Sequence, residues 1–268
     1  MKNKLKRAAK AAISFILVSS VLLGVSSADT DPLLGATEPA STAADIHAGE
    51  GFGVTAVTTE GTLTTREGGA EKGAKEGVSD FKLNLLITLP HIEDEYAADC
   101  NAYFAELRRY YTDEYAPMML EEFRAANAEG GEENECSLTV DYTLTYADSD
   151  FYSVLVCAAK TEGSAYSEEY SAYVFSKREM ARLTLYEVIP WENENPYSLA
   201  VHAAERGIKR VRGTEDDAFG YYDGIDEDWV ATYLTDTSFY LGQDGKVVLF
   251  LNPAGVSPCT SGICLFPI

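Results

Sequence analysis

Phe81, Leu83, Leu85 and Ile87 recur at every second position, the period of a half-buried strand, and Pro90 ends it. The period then lengthens. Between about Glu93 and Ala128, Cys100, Phe104, Leu107 and Tyr111 fall at spacings of four, three and four, which stacks them on one face of a helix. Pro117 kinks or divides this helix and Gly130-Gly131 stops it. Leu138, Val140, Tyr142, Leu144 and Tyr146 then alternate with Thr139, Asp141, Thr143 and Thr145, an amphipathic strand. The turn Ala147 to Asp150 returns the chain as Phe151 to Ala159. Pairing Ala147 with Asp150 sets Val140 against Cys157, on the face that Cys100 covers. Ser167 to Phe175 and Ala181 to Ile189 read as further strands of the same sheet.

Beyond Pro190 a second unit opens with a helix over Tyr197 to Val211, apolar through Leu199, Ala203 and Ile208. An acidic connection runs from Glu215-Asp216-Asp217 to Asp226-Glu227-Asp228, and Trp229 to Thr235 reads as a strand or a short helix. Phe239–Leu241 and Val247–Leu251 are joined across Asp244-Gly245, a strong hairpin signal. The patterns predict an α+β fold: helices packed on one face of antiparallel sheets, in two small sub-domains, with no parallel crossover ladder.

The first residues differ in kind. Lys2, Lys4, Lys6, Arg7 and Lys10 precede an apolar run from Ile13 to Val25, and small residues Ser26 and Ala28 follow. That is the pattern of a secretory signal, too short for a comfortable span of about 20 apolar residues. Cleavage after Ala28 is the preferred reading and an uncleaved anchor the alternative. Both place the rest outside the cytoplasm, secreted or held at the outer face of the membrane. The expected organisation is 1–28 signal peptide or anchor, 29–79 flexible tether, and α+β domains over 80–189 and 190–268. Within the tether Phe52 to Val57 can add an edge strand.

Charge narrows the partners. Of 21 basic residues five lie in the leader, leaving 16 against 43 acidic ones, a formal −27 for the remainder. Such a field repels nucleic acid and anionic membranes and attracts cationic proteins and divalent ions. Candidate anchors for a cationic partner are Tyr221, Tyr222 and Trp229 beside Asp216, Asp217, Asp226 and Asp228. Asp223, Asp226 and Asp228 offer hard oxygen ligands for calcium, without the helix-loop-helix calcium spacing. Five cysteines occur at 100, 136, 157, 259 and 264, with no Cys-x-x-Cys pair. Cys259 and Cys264 enclose a short loop that a disulfide would staple in an oxidising compartment. Cys100 and Cys157 are open either to a second bond or to buried thiols.

Catalytic signals are weak. His47, His91 and His202 are the three histidines, and no His-Glu-x-x-His is present. His202 and Glu205 share a helical face. No Gly-x-Ser-x-Gly marks a nucleophile turn, and glutamates around Cys136 disfavour its thiolate. The expectation is a non-enzymatic chain with no catalytic residue and no cofactor.

The C-terminal stretch carries a resemblance. Thr237-Ser238-Phe239-Tyr240-Leu241, Asp244-Gly245, Phe250-x-Asn252-Pro253 and the closing Ile263-Cys264-Leu265-Phe266-Pro267-Ile268 resemble the DUF3298 extracytoplasmic domain. Ala254 stands where that family often has an aromatic, and two cysteines occupy the turn. Phe81 to Phe175 is similar to DUF4163, which commonly precedes it. These domains occur in lysozyme-sensing anti-sigma factors and beside polysaccharide deacetylases. The resemblance implies an extracytoplasmic binding domain that recognises a lysozyme-like cationic protein or a cell-wall component. A structural or accessory wall protein and a peptidoglycan-acting hydrolase are the alternatives.

Overall fold

The computed structural model describes residues 53–65, 81–127, 134–189, 195–260 and 262–268. The expected leader lies outside them, and among them no helix is long and apolar enough to cross a membrane.

The fold is α+β. A six-stranded sheet holds β1 (Gly53–Thr65), β2 (Phe81–Glu93), β3 (Glu135–Ala147), β4 (Phe151–Glu162), β5 (Ala165–Ser176) and β6 (Ala181–Leu183), in that spatial order. A three-stranded sheet holds β7 (Phe239–Leu241), β8 (Val247–Leu251) and β9 (Cys264–Pro267). β1 extends the edge strand anticipated over Phe52 to Val57 far into the stretch read as a tether. It pairs antiparallel with the whole of β2.

β2 outlasts Pro90 and ends at Glu93. β3 accompanies it only from Lys82 to Ile87, so further along β2 is flanked by β1 alone, an edge position of the kind that accommodates proline. Contrary to the all-antiparallel expectation, β2 and β3 run parallel. The connection between them is helical, α1 (Ala98–Tyr110), a π-helical turn (Tyr111–Tyr115) and α2 (Ala116–Asn127), and such a crossover returns the chain in the same direction. The π turn closes where the Ala116 amide donates to the Tyr111 carbonyl, just before Pro117, which has no amide of its own to give. Cys100, Phe104, Tyr111, Tyr115, Met119, Leu120 and Phe123 are buried from this connection, whereas Leu107 is only half-buried.

The β3–β4 hairpin forms as predicted, with one correction. A bulge between Leu144 and Tyr146 pairs Ala147 with Tyr152, so Val140 faces Ala158 and Cys157 faces Asp141. A one-residue slip turns a side chain to the other face. Cys157 therefore sits beside Tyr170 of β5, away from the helical layer that holds Cys100, and the Cys100–Cys157 bond does not form.

Residues 181–189 were expected as strand, but β6 stops at Leu183 and α3 (Leu185–Val188) follows. The Thr184 amide and hydroxyl donate to Glu187 at 2.7 and 2.8 Å, a capping box that starts a helix in spite of the apolar residues around it. α4 (Pro196–Val211) begins where Asn195 accepts from the Tyr197 amide at 2.9 Å and Pro196 presets the first turn. Ala200, Val201, Ala204 and Ile208 of α4 pack with Phe239, Leu241, Leu249, Leu251 and Phe266, and also with Val174 and Leu183 of the larger sheet.

The two sheets are joined along the outer edge of β5. Glu168 donates its amide to the Thr260 carbonyl at 2.9 Å and Ala172 to Thr237 at 2.8 Å. Between them the Tyr170 amide and carbonyl take both ends of the Asn252 carboxamide, at 2.8 and 2.9 Å. Ser153 adds a buried bond, accepting from the Leu241 amide at 2.9 Å.

Candidate acidic aromatic surface

The connection from α4 to α5 (Glu227–Tyr233) is organised by one carboxylate. Asp217 accepts from the amides of Gly213, Gly220 and Tyr221 at 2.9, 2.8 and 3.2 Å. Gly213 and Gly220 turn the chain at φ of +71° and +63°, backbone that glycine adopts without strain. Asp226 is likewise engaged, capping α5 by accepting from the Trp229 amide at 2.9 Å. These two predicted site residues brace the backbone.

The rings of Trp229 and Tyr233 converge on the short turn Pro253–Gly255, and the backbone of Tyr222 is tied just beyond it. The Trp229 indole Nε1 donates to the Gly255 carbonyl at 2.9 Å, and the Tyr222 amide donates to Val256 at 3.0 Å. Tyr233, one turn beyond Trp229, lies against the Gly255 backbone so closely that a Cβ there would fall 2.3 Å from its ring. The Trp229 and Tyr233 rings are 6.4 Å apart. Yet Tyr222, Trp229 and Tyr233 remain 39%, 41% and 37% exposed. Rings held by one edge and bare on the other are suited to contact a partner.

Carboxylates lie close by in the sequence. Asp223, Asp226, Glu227 and Asp228 are all exposed. Arg212 lies 3.7 Å from Asp223, and His202 lies 3.2 Å from Glu227. His202 and Glu205, on one helical face, are not paired with each other: Glu205 bonds Lys209 and His202 lies by Glu227. Asp223, Asp226 and Asp228 are not gathered into a calcium site: Asp223 faces Arg212 and Asp226 caps a helix. Among the described residues no group of three His, Cys, Asp or Glu is placed to hold a metal ion.

The other predicted residues lie elsewhere. Asp216 and Tyr221 line a groove of about 610 Å³ between α4 and β9. Tyr221 is half-buried, its hydroxyl beside the Cys264 thiol, and burial pushes that thiol up to about 12. No disulfide pair is found among the described residues, so the Cys259–Cys264 staple is absent, and the Cys264 sulfur is engaged by Tyr221. Cys136 is also raised, to about 11, by burial and then by Glu162.

Sequence reasoning missed Tyr233 and Gly255. The spacing of Trp229 and Tyr233, four apart in a short helix, was the available signal. The seat at Gly255 had none, because it comes from a distant turn.

No family model matches the sequence, and no curated protein matches it. Among solved structures, a member of the DUF3298 family from Bacteroides fragilis is similar over 80% of this chain and 90% of its own, at 14% identity and a TM-score of 0.50. A DUF3298 family protein from Pseudomonas aeruginosa is similar over 81% of this chain and 90% of its own, at 12% identity and a TM-score of 0.46. At such identities the likeness is one of fold, and the chain shares the architecture of the first of these DUF3298 structures.

Proposed function

We propose that this chain is a non-enzymatic, extracytoplasmic binding domain that presents its acidic aromatic surface to a cationic protein or a cationic cell-wall component. The basic and apolar leader supports the location. The observation that carries the reading is the fixing of Trp229 and Tyr233 on the Gly255 turn, 41% and 37% exposed, in a segment that also exposes Asp223, Asp226, Glu227 and Asp228. Buried aromatic anchors supply most of the affinity of an interface, while complementary charge speeds encounter and sets orientation.

Lysozyme is the cationic probe that the family resemblance suggests. Titrated against the full chain, it binds at low salt and loses affinity as salt rises. Trp229→Ala lowers that affinity at least about tenfold, as removal of an anchor does. Absence of binding to lysozyme and to other cationic wall proteins at low salt would overturn the proposal.

A further inference from the structure

Against the acidity of the whole molecule, the groove between α4 and β9 is basic. Arg206 and Arg210 stand on its rim, both exposed, one helical turn apart. Their neighbours are matched: Lys209 bonds Glu205 and Arg212 faces Asp223. Arg206 and Arg210 make no ion pair or hydrogen bond among the described residues. Like charges four residues apart on a helix repel by a few tenths of a kcal/mol. A chain with 43 acidic residues leaves this pair unneutralised. Asp216 is the one acidic side chain lining it.

Below the rim the lining is apolar. Phe219, Tyr221, Leu265 and Phe266 form it, and Leu265 stays 49% exposed although it belongs to a strand. Gly207, between the arginines in sequence, lets α4 approach β9: a Cβ there would fall 2.5 Å from the Phe266 ring. The volume of about 610 Å³ is within the range of small-molecule sites.

Two unmatched guanidiniums beside a groove lined by exposed Leu265 and half-buried Phe219 and Tyr221 fit one kind of molecule. The geometry points to a binding groove for a single anionic amphiphile, a fatty-acid-like carboxylate whose head is held by Arg206 and Arg210 and whose chain lies along Phe219 and Leu265. Guanidinium forks bind carboxylates in paired, charge-assisted hydrogen bonds. The negative field of the rest of the molecule opposes a charged bilayer, and so favours a free monomer over a membrane surface. This site is separate from the acidic aromatic surface and calls for ligands of the opposite sign.

Calorimetric titration of the full chain with dodecanoate, dodecanol and dodecyltrimethylammonium, each below its micelle-forming concentration, tests the groove. Dodecanoate binds about tenfold more tightly than dodecanol, the gain expected of charge-assisted contacts, and the cation binds least. Arg206→Gln with Arg210→Gln abolishes the preference while leaving the thermal midpoint within a few degrees. Leu265→Asp removes dodecanol binding as well. Equal affinity for the three heads, a preference that survives the double variant, or capture by anionic lipid vesicles in place of the monomer would each overturn the assignment.

Discussion

Lys177 Nζ lies 3.0 Å from Asp94 Oδ2, and the two side chains are only 9% and 14% exposed. The same ammonium stands 4.3 Å above the centre of the Tyr152 ring. This contact ties the end of β2 to the turn after β5, across 83 residues of chain. Burial opposes the Asp94 charge, but hydrogen bonds from Tyr152, the Tyr96 amide and Lys177 outweigh it and hold the carboxyl below its ordinary range.

Removing one member leaves the other charged and enclosed, which costs about 3–5 kcal/mol. Lys177→Met keeps the aliphatic stem over Tyr152 and isolates the charge effect. Its thermal midpoint should fall by on the order of 10 °C. Combined with Asp94→Asn, the loss should be smaller than for Lys177→Met alone, a result that a double-mutant cycle in urea would read.

Acid should act through the same carboxylate. Its folded pKa lies below the unfolded value of about 3.9, so its contribution is complete above that pH and is lost as pH falls through the lower, folded value. Urea midpoints measured from pH 6 to pH 2 should drop less steeply in Asp94→Asn than in the parent chain.

Asn252 closes both backbone groups of Tyr170 with one carboxamide. Asn252→Ala leaves an amide and a carbonyl without partners and should cost about 1–3 kcal/mol. Asn252→Asp retains the acceptor and loses the donor, so its chemical-denaturation midpoint should fall between the two.

Gly255 is fixed by its neighbour. Its backbone φ is ordinary, but an added methyl would collide with the Tyr233 ring over 2.3 to 2.7 Å. Gly255→Ala should destabilise by about 1–3 kcal/mol. It should also shift the emission of Trp229, whose indole bonds the same residue. An unchanged spectrum and melting curve would contradict the seat described for these rings.

The cysteines should be slow nucleophiles. Burial raises Cys136 and Cys157 to about 11 and Cys264 to about 12, against about 8.5 for an ordinary thiol. Cys100 is raised further by burial alone. At pH 8 the native chain should react with iodoacetamide at these four positions far more slowly than after denaturation, as mass spectrometry of the labelled peptides would show.

Much of this fold can be read from local pattern. The alternation at Leu138 to Tyr146, the helix over residues 197–211 and the Asp244-Gly245 hairpin each carry their own pattern and form where expected, although the helix buries Ala200, Val201, Ala204 and Ile208 more deeply than the expected Leu199 and Ala203. What escaped was non-local or finely balanced. Nothing local announces that β3 lies parallel to β2, and one bulge near Leu144 was enough to turn Cys157 to the other face. The Thr184 to Glu187 capping box was visible in the sequence, but the run of apolar residues around it reads equally as strand. In the acidic connection, composition marked the segment and not the division of labour: Asp217 and Asp226 are spent on backbone amides, while Asp228, Tyr222 and Trp229 face outward. The motif Phe250-x-Asn252-Pro253 was recognisable as a resemblance, and the bond to Tyr170 gives its asparagine a physical reason.

The outer margin of β5 has a practical meaning for anyone dividing this molecule. Three successive outward amides, at Glu168, Tyr170 and Ala172, find their acceptors only in residues 237 to 260. A polypeptide stopped short of that region would leave the outward edge of β5 unpaired from Glu168 to Ala172, beside the stretch that β6 covers, and open to stacking with copies of itself. The resemblance to two consecutive domains thus invites a cut that should yield insoluble halves, whereas co-expressing the pieces should restore a compact pair.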